Sequence, residues 1–223
     1  MIAAPGHPRP PRLDPGRWPP FNTPMISEAL FVLAAYLFGS ISAAIVTCRL
    51  LQLPDPRSTG SRNPGATNVL RIAGRKAAGI TLLGDFLKGV VPVSIAVALE
   101  LRPEIVAATG AAVFAGHLYP VFFGFQGGKG VATGLGVLLA WSWQAFLATV
   151  GVWLLVAAIF RYSSLAGMTS FVLAPVWLLV FGADPAVVLA MPVIAAASLW
   201  RHRANIRNLL NGREKKLGYR EPD

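Results

Sequence analysis

Charge is scarce in this chain. Only 13% of its 223 residues are Asp, Glu, Lys or Arg, against roughly 25% in an ordinary soluble domain. A soluble domain of this size needs a charged surface, so the shortage excludes one. Cysteine is almost missing as well. Cys48 stands alone, which excludes a disulfide scaffold. Acidic residues number 10 against 20 Lys and Arg. Hydrophobic residues make up 54%, too many for a disordered chain. What remains is an all-α, polytopic integral membrane protein. Its net charge of +10 must then be concentrated in a few places.

Residues 1–24 differ from the rest. They are rich in proline and carry Arg9, Arg12 and Arg17. They lack the apolar run of a signal peptide, and a polar, proline-rich tract cannot bury enough surface to fold. They read as a disordered extension or as a stretch ahead of a natural start at Met25. The second reading is favoured, because the first membrane segment begins directly after Met25. Residues 25–200 read as the membrane domain. Residues 201–223 read as a basic cytoplasmic tail that contributes to the functional site.

A spanning helix needs about 20 largely apolar residues. Seven segments qualify or nearly do: 25–51, 77–101, 104–123, 131–143, 144–160, 164–181 and 185–200. The fourth is short unless residues 127–130 already lie at membrane depth. Between the first two segments lie Arg57, Arg62, Arg71, Arg75 and Lys76. Lys129 and Arg161 fall in later loops of the same side, and the tail is basic. The opposite loops hold Arg102. An excess of Lys and Arg marks the cytoplasmic side, so the C-terminus is expected there and the N-terminus outside. Most tryptophans fall near segment ends, as interfacial aromatics do.

Four clusters on the expected cytoplasmic side carry chemistry. The first runs from Gly60 through Ser61, Asn63, Thr67 and Asn68 to Arg71. Glycine lets backbone N–H groups approach an anion, and arginine forks match phosphate oxygens. Thr67 or Asn68 could instead cap a helix. The second is Asp85 and Lys88, three apart on one helix face within an apolar segment. Ionisable groups at such a depth are functional candidates, with a helix-pinning ion pair as the alternative. The third runs from His117 through Gly127, Gly128, Lys129 and Gly130 to Thr133. A glycine run with a lysine before a helix is an anion site. It is not a nucleotide P-loop, because Gly130 stands where a Ser or Thr would hold magnesium and no strand precedes it. The fourth contains Arg201, His202, Asn205 and Asn208, which share a face if helical. No metal set is evident, no G-x-S-x-G elbow occurs, and Cys48 has no visible activating base.

The stretches GSRNPGATNVLR, GDFLKG, GHLYPVFFGFQGGKGVATGLG and RHRANIRNLLNGRE occur here in the order of the PlsY family, which this chain resembles from Met25 to Glu214. That family comprises bacterial glycerol-3-phosphate acyltransferases that use acyl phosphate as donor. The resemblance implies a seven-helix fold in the bacterial inner membrane with a cytoplasmic active site. It implies acylation of the 1-hydroxyl of sn-glycerol 3-phosphate to lysophosphatidate, the first step of phospholipid synthesis. It places catalysis on Ser61, Asn63, Arg71, Lys129, His202 and Asn205. Substrate contacts fall on Gly60, Thr67, Asn68, Asp85, Lys88 and His117, and on Gly127, Gly128, Gly130, Thr133 and Arg201. Two departures stand out: Ser42-Ala43-Ala44 follows Gly-Ser-Ile, and Arg62 replaces a frequently small residue.

An acyl phosphate is already activated, so positioning and charge stabilisation can suffice for direct transfer without an acyl-enzyme. The proton acceptor stays open among His202, His117 and a phosphate oxygen. The expected partners are acyl phosphate, glycerol 3-phosphate and membrane lipid, with no cofactor, no metal and no nucleic acid. The main alternative is a transporter of an organic phosphate anion, since intramembrane charges and broken helices also serve transport. A membrane-anchored scaffold without turnover is the other.

Overall fold

The computed structural model describes residues 23–219. The proline-rich call on 1–24 therefore lies outside the described residues, except that Thr23 and Pro24 open the first helix. The described residues are helical, without strands. In chain order the helices are α1 (Thr23–Gly39), α2 (Ala43–Leu50), α3 (Ala66–Ala98), α4 (Pro103–Leu118), α5 (Val131–Trp141), α6 (Trp143–Phe160), α7 (Ser163–Val180), α8 (Pro185–Arg201) and α9 (Arg203–Leu210). A 3-10 turn, Val121–Phe123, follows α4.

Large apolar side chains cover the outside: Leu30, Leu83, Leu155, Ile159, Leu189 and Val193 are all exposed. Such a surface is stable only in lipid, where helices satisfy every backbone hydrogen bond internally. The protein is an all-helical integral membrane protein. Among the described residues, four helices are long and apolar enough to cross a bilayer by themselves, and up to six spans result if each of two bent pairs counts as one.

Several expected segments are corrected in detail. The first is two helices, α1 and α2, bent by 44°. The break falls at Ser40–Ser42, where the Ser42 hydroxyl caps α2 by accepting from the Ile45 amide. The second starts eleven residues earlier than read (Ala66 rather than Ala77). Its first two turns are offset from the membrane part at Gly74, whose φ of +81° only glycine adopts cheaply. The last segment does not continue as one helix into the tail. It bends by 59° at His202 into α9, so Arg201, His202, Asn205 and Asn208 do not share a single helix face.

Close backbone contact holds the centre. A side chain at Gly89 of α3 would overlap the Thr133 carbonyl of α5, and one at Gly136 of α5 would overlap the Phe86 carbonyl of α3. Gly39 and Gly116 do the same for α1 and α4. Small residues at crossings are how membrane helices associate, because lipid offers them no hydrophobic gain. The α3–α5 contact lets the Thr133 hydroxyl donate to the Asp85 carbonyl at 2.9 Å. It thereby fixes the start of α5 against the middle of α3. Phe114 of α4 and Phe171 of α7, with centroids 6.3 Å apart, fill the space beside it. Replacing Gly136 by Val should destabilise the fold by about 1–3 kcal/mol, the usual range for overpacking. Gly151→Ala on α6, where nothing lies near the added methyl, should leave thermal unfolding in detergent unchanged or slightly raised.

Candidate active site

Two connected cavities open at one end of the bundle. The inner one has a volume of about 360 Å³, the outer one about 410 Å³. Ser61, Asn63, Arg71, Lys129, Asn205 and Glu214 line both, and so form the passage between them. Loops from three separate parts of the chain meet here: residues 60–71, 127–133 and 201–214. This is the convergence on which the sequence reading depends.

The loop at 60–65 is shaped by an internal hydrogen-bond set. Asn68 is buried and its side chain reaches back from α3. Its Oδ1 accepts from the Ser61 amide at 2.8 Å, and its Nδ2 donates to the Pro56 and Thr59 carbonyls at 2.9 and 3.1 Å. Asn68 is thus a loop organiser whose polar atoms are occupied, although it borders the inner cavity. Neither it nor Thr67 caps α3. The N-cap is Gly65, which has no side chain to do so. Gly60 takes φ +62°, and a methyl there would overlap the Asn68 amide oxygen.

The loop at 127–130 is clamped by its carbonyls. Arg201 Nε donates to the Gly128 carbonyl at 3.0 Å, and its Nη2 donates to that of Gly127. The Ser198 hydroxyl donates to the Lys129 carbonyl at 3.1 Å. With those oxygens drawn toward α8, the Lys129 side chain and Gly130 border the inner cavity, as do Val131 and Ala132. The first amides of a helix have no intrahelical acceptor, and α5 starts at Val131. The amides beside the inner cavity that lack an intrahelical acceptor are therefore those of the α5 N-terminus. Gly127 and Gly128, expected among the substrate contacts, line neither of these two cavities, and the Gly128 amide donates to the His117 carbonyl at 3.2 Å. Arg201 reaches only the outer cavity, and its guanidinium also stacks on Tyr119, 5.5 Å from the ring centroid.

Beneath this loop lies a buried polar set. Lys88 Nζ pairs with Asp85 Oδ1 at 2.8 Å and donates to the Ile41 carbonyl, also at 2.8 Å. Lys88 is therefore engaged inside the bundle and lines neither cavity. Its role is the helix-pinning one, tying α3 to the break between α1 and α2. Thr133 Oγ1 spends its one proton on the Asp85 carbonyl, so it accepts from His117 Nδ1 at 3.1 Å. Thr133 likewise lies behind the wall of the cavity. Asp85 and His117 reach the inner cavity, with His117 Nδ1 also 3.5 Å from Asp85 Oδ1.

On the far wall, His202 Nδ1 is 2.8 Å from the Ser198 carbonyl. A carbonyl only accepts, so Nδ1 carries the proton and Nε2 keeps a lone pair. His202 is 2% exposed and borders the inner cavity. Two groups were missed in the sequence, Glu214 and its partner Ser164. Glu214 accepts from the Ser164 hydroxyl at 2.6 Å and from Asn205 Nδ2 at 2.7 Å. It ties the tail to α7 and orients Asn205. Its one legible signal was an acid set directly between Arg213 and Lys215 in a basic stretch. Burial pushes the Lys129 ammonium down to about 8; Glu214 opposes the shift, and Arg71 and Arg201 add to it. One wall of the inner cavity is apolar, formed by Leu82, Leu135, Val150, Trp153 and Leu154, and Thr67 and Ser163 also line it. A methyl at Gly128 would fall on His117 Nε2 and come within 3.1 Å of the Pro64 carbonyl. Gly128→Ala should therefore lower turnover by about tenfold to a hundredfold, the larger figure being what a misplacement of 1 Å can cost. Helicity measured by circular dichroism should stay unchanged.

A family model described as glycerol-3-phosphate acyltransferase matches residues 29–212. The glycerol-3-phosphate acyltransferase of Halorhodospira halophila (strain DSM 244 / SL1) is 56% identical over 191 residues, covering 86% of this chain and 97% of that protein. That of Thioalkalivibrio sulfidiphilus (strain HL-EbGR7) is 55% identical over 194 residues, covering 87% and 96%. The crystal structure of PlsY (YgiH), an integral membrane glycerol 3-phosphate acyltransferase, in its glycerol 3-phosphate form superposes with a TM-score of 0.82 at 44% identity, covering 86% of this chain and 96% of that one. The lysophosphatidic acid form of PlsY superposes with a TM-score of 0.80 at 42% identity and the same coverage. With a family model matched over most of its length and relatives above half identity, the chain belongs to the glycerol-3-phosphate acyltransferase family.

Proposed function

We propose that this enzyme, a glycerol-3-phosphate acyltransferase that forms lysophosphatidate, takes its acyl group from acyl phosphate and transfers it directly, in one displacement. The observation that carries this reading is the union of an apolar cavity with a cationic rim. The inner cavity joins Leu82, Leu135, Val150 and Leu154 to Lys129 and the α5 N-terminus. That combination suits a donor with a hydrocarbon chain at one end and a phosphate at the other.

In this reading the donor phosphate rests on the α5 amides and Lys129, where a helix dipole and a cation both favour negative charge. The acceptor's phosphate lies toward Arg71, Ser61 and Asn63, which border the outer cavity too. The 1-hydroxyl oxygen attacks the acyl carbon, the bond from that carbon to the phosphate oxygen breaks, and orthophosphate leaves with the electron pair. His202 Nε2 receives the hydrogen bond of the attacking hydroxyl and orients it. The proton ends on the departing phosphate. The catalytic work is placement and charge stabilisation. Asn205, held by Glu214, contributes a polar contact to the acceptor. The bilayer is taken as the bacterial inner membrane, crossed seven times with α5 counted as a pass beside the six spans. The C-terminus is taken as cytoplasmic, because Lys and Arg gather at the cavity end.

The direct test is turnover by purified protein in neutral detergent with glycerol 3-phosphate and either acyl phosphate or acyl-CoA. Lysophosphatidate should form from acyl phosphate only; equal or faster turnover with acyl-CoA overturns the donor assignment. A phosphate dianion is formed above about pH 6, so a loss of activity at higher pH reports the enzyme. Lys129 binds an anion only when charged, that is, below its value of about 8. kcat/KM should therefore fall as pH rises through that value. Lys129→Arg should remove this descending limb, and Lys129→Ala should lose most activity while remaining folded.

A further inference from the structure

The outer cavity carries more positive charge than the transfer needs. Five arginines and two lysines line it, against one carboxylate, Glu214. Of these, Arg71 and Lys129 also face the inner cavity, while Arg62, Arg203 and Arg213 do not. The latter three are exposed, Arg62 in the loop before α3 and Arg203 and Arg213 in the tail. Arg62 is unusual in its backbone. Its φ is +57°, a left-handed conformation that glycine favours and that a bulky side chain adopts at some cost. Arg203 is held in place, donating to the Trp200 carbonyl at 3.1 Å and stacked 5.0 Å from the Trp200 ring centroid. The two cavities also differ in kind. The inner one is largely apolar, whereas the outer one has no large apolar side chain in its lining.

We propose that the outer cavity is a separate capture site for the water-soluble phosphate monoester, in which Arg62, Arg203 and Arg213 hold the acceptor's dianion before it passes the ring at Ser61, Arg71 and Lys129. This rests on the acceptor assignment above and adds a stage to it. The two substrates then approach by different routes, the amphiphilic donor among the helices and the soluble acceptor through the basic basin. A concave cationic surface concentrates an anion and raises its capture by about 10- to 1000-fold at low ionic strength. The effect fades as the screening length falls from about 30 Å at 0.01 M salt to about 8 Å at 0.15 M. The left-handed Arg62 places a cation at the rim where glycine would be the easier residue.

The test is steady-state kinetics of Arg62→Gly/Arg203→Gln/Arg213→Gln in neutral detergent over 0.01 to 0.3 M salt, about the range in which screening changes. Lys76→Gln, an exposed charge outside both cavities, is the control. The triple variant should keep kcat within about twofold and the KM for acyl phosphate unchanged. At low salt its KM for glycerol 3-phosphate should rise about tenfold, and the salt dependence of kcat/KM should flatten. Arg62→Gly alone should unfold at or above the wild-type temperature, since glycine relieves the left-handed backbone. An unchanged salt slope overturns the capture site, as does an equal rise in both KM values. An effect seen only in micelles that contain an anionic lipid assigns the basin to lipid headgroups and also overturns it. Failure of wild-type protein to form lysophosphatidate would instead overturn the acceptor assignment, so the two failures are distinct.

Discussion

Three carbonyl oxygens govern this site. Those of Gly127 and Gly128 are taken by Arg201, and that of Lys129 by Ser198. A loop rich in glycine and set among apolar helices could turn its oxygens toward the cavity as readily as its amides. An oxygen-lined cavity would repel phosphate. By drawing the oxygens toward α8, the fold leaves the α5 N-terminus and the Lys129 ammonium toward the cavity. The sign of the site is thus decided by hydrogen bonds on its far side. The glycines are required because their neighbours leave no room: a methyl at Gly127 would overlap the His117 carbonyl, and one at Gly130 the Phe114 ring.

That clamp depends in turn on two deeper features. The α3–α5 contact through Gly89 and Gly136 fixes where α5 begins. The set formed by Asp85, Lys88, His117 and Thr133 fixes where α4 ends relative to both. Burying a charge is costly unless it is paired and hydrogen-bonded, and Lys88 is both. Lys88 and Thr133 sit behind the wall of the inner cavity, Asp85 and His117 reach it, and together they position the start of α5. Glu214 performs the corresponding task on the other side, linking α7 and the tail to Asn205.

Much of this was legible in the sequence. The spans at 144–160, 164–181 and 185–200 match α6, α7 and α8 within a residue or two, because long apolar runs bounded by polar residues admit few alternatives. The three cationic loops that meet at the cavities were also found from composition, since glycine beside Lys or Arg at the end of an apolar helix has little other purpose. What was hidden depends on three-dimensional contact. Asn68 looked like a ligand or a cap, and only the folded loop shows its amide turned back on Pro56 and Thr59. Lys88 looked available to an anion, but its partners on α3 and at Ile41 use its charge. Gly74 interrupts α3 without any local signal stronger than a glycine in a helical run. Ser164 and Glu214 are fifty residues apart and form one hydrogen bond, which no spacing rule anticipates.

The account stands on direct displacement, with the phosphate held by the α5 amides and Lys129 while the acyl group moves to the acceptor. Rapid quenching of the purified enzyme with acyl phosphate labelled in its acyl group tests this most directly. With glycerol 3-phosphate present, label should pass straight into lysophosphatidate; without it, none should remain on the denatured protein at any time. Label bound to the protein at a rate and amount matching the first turnover would contradict the account.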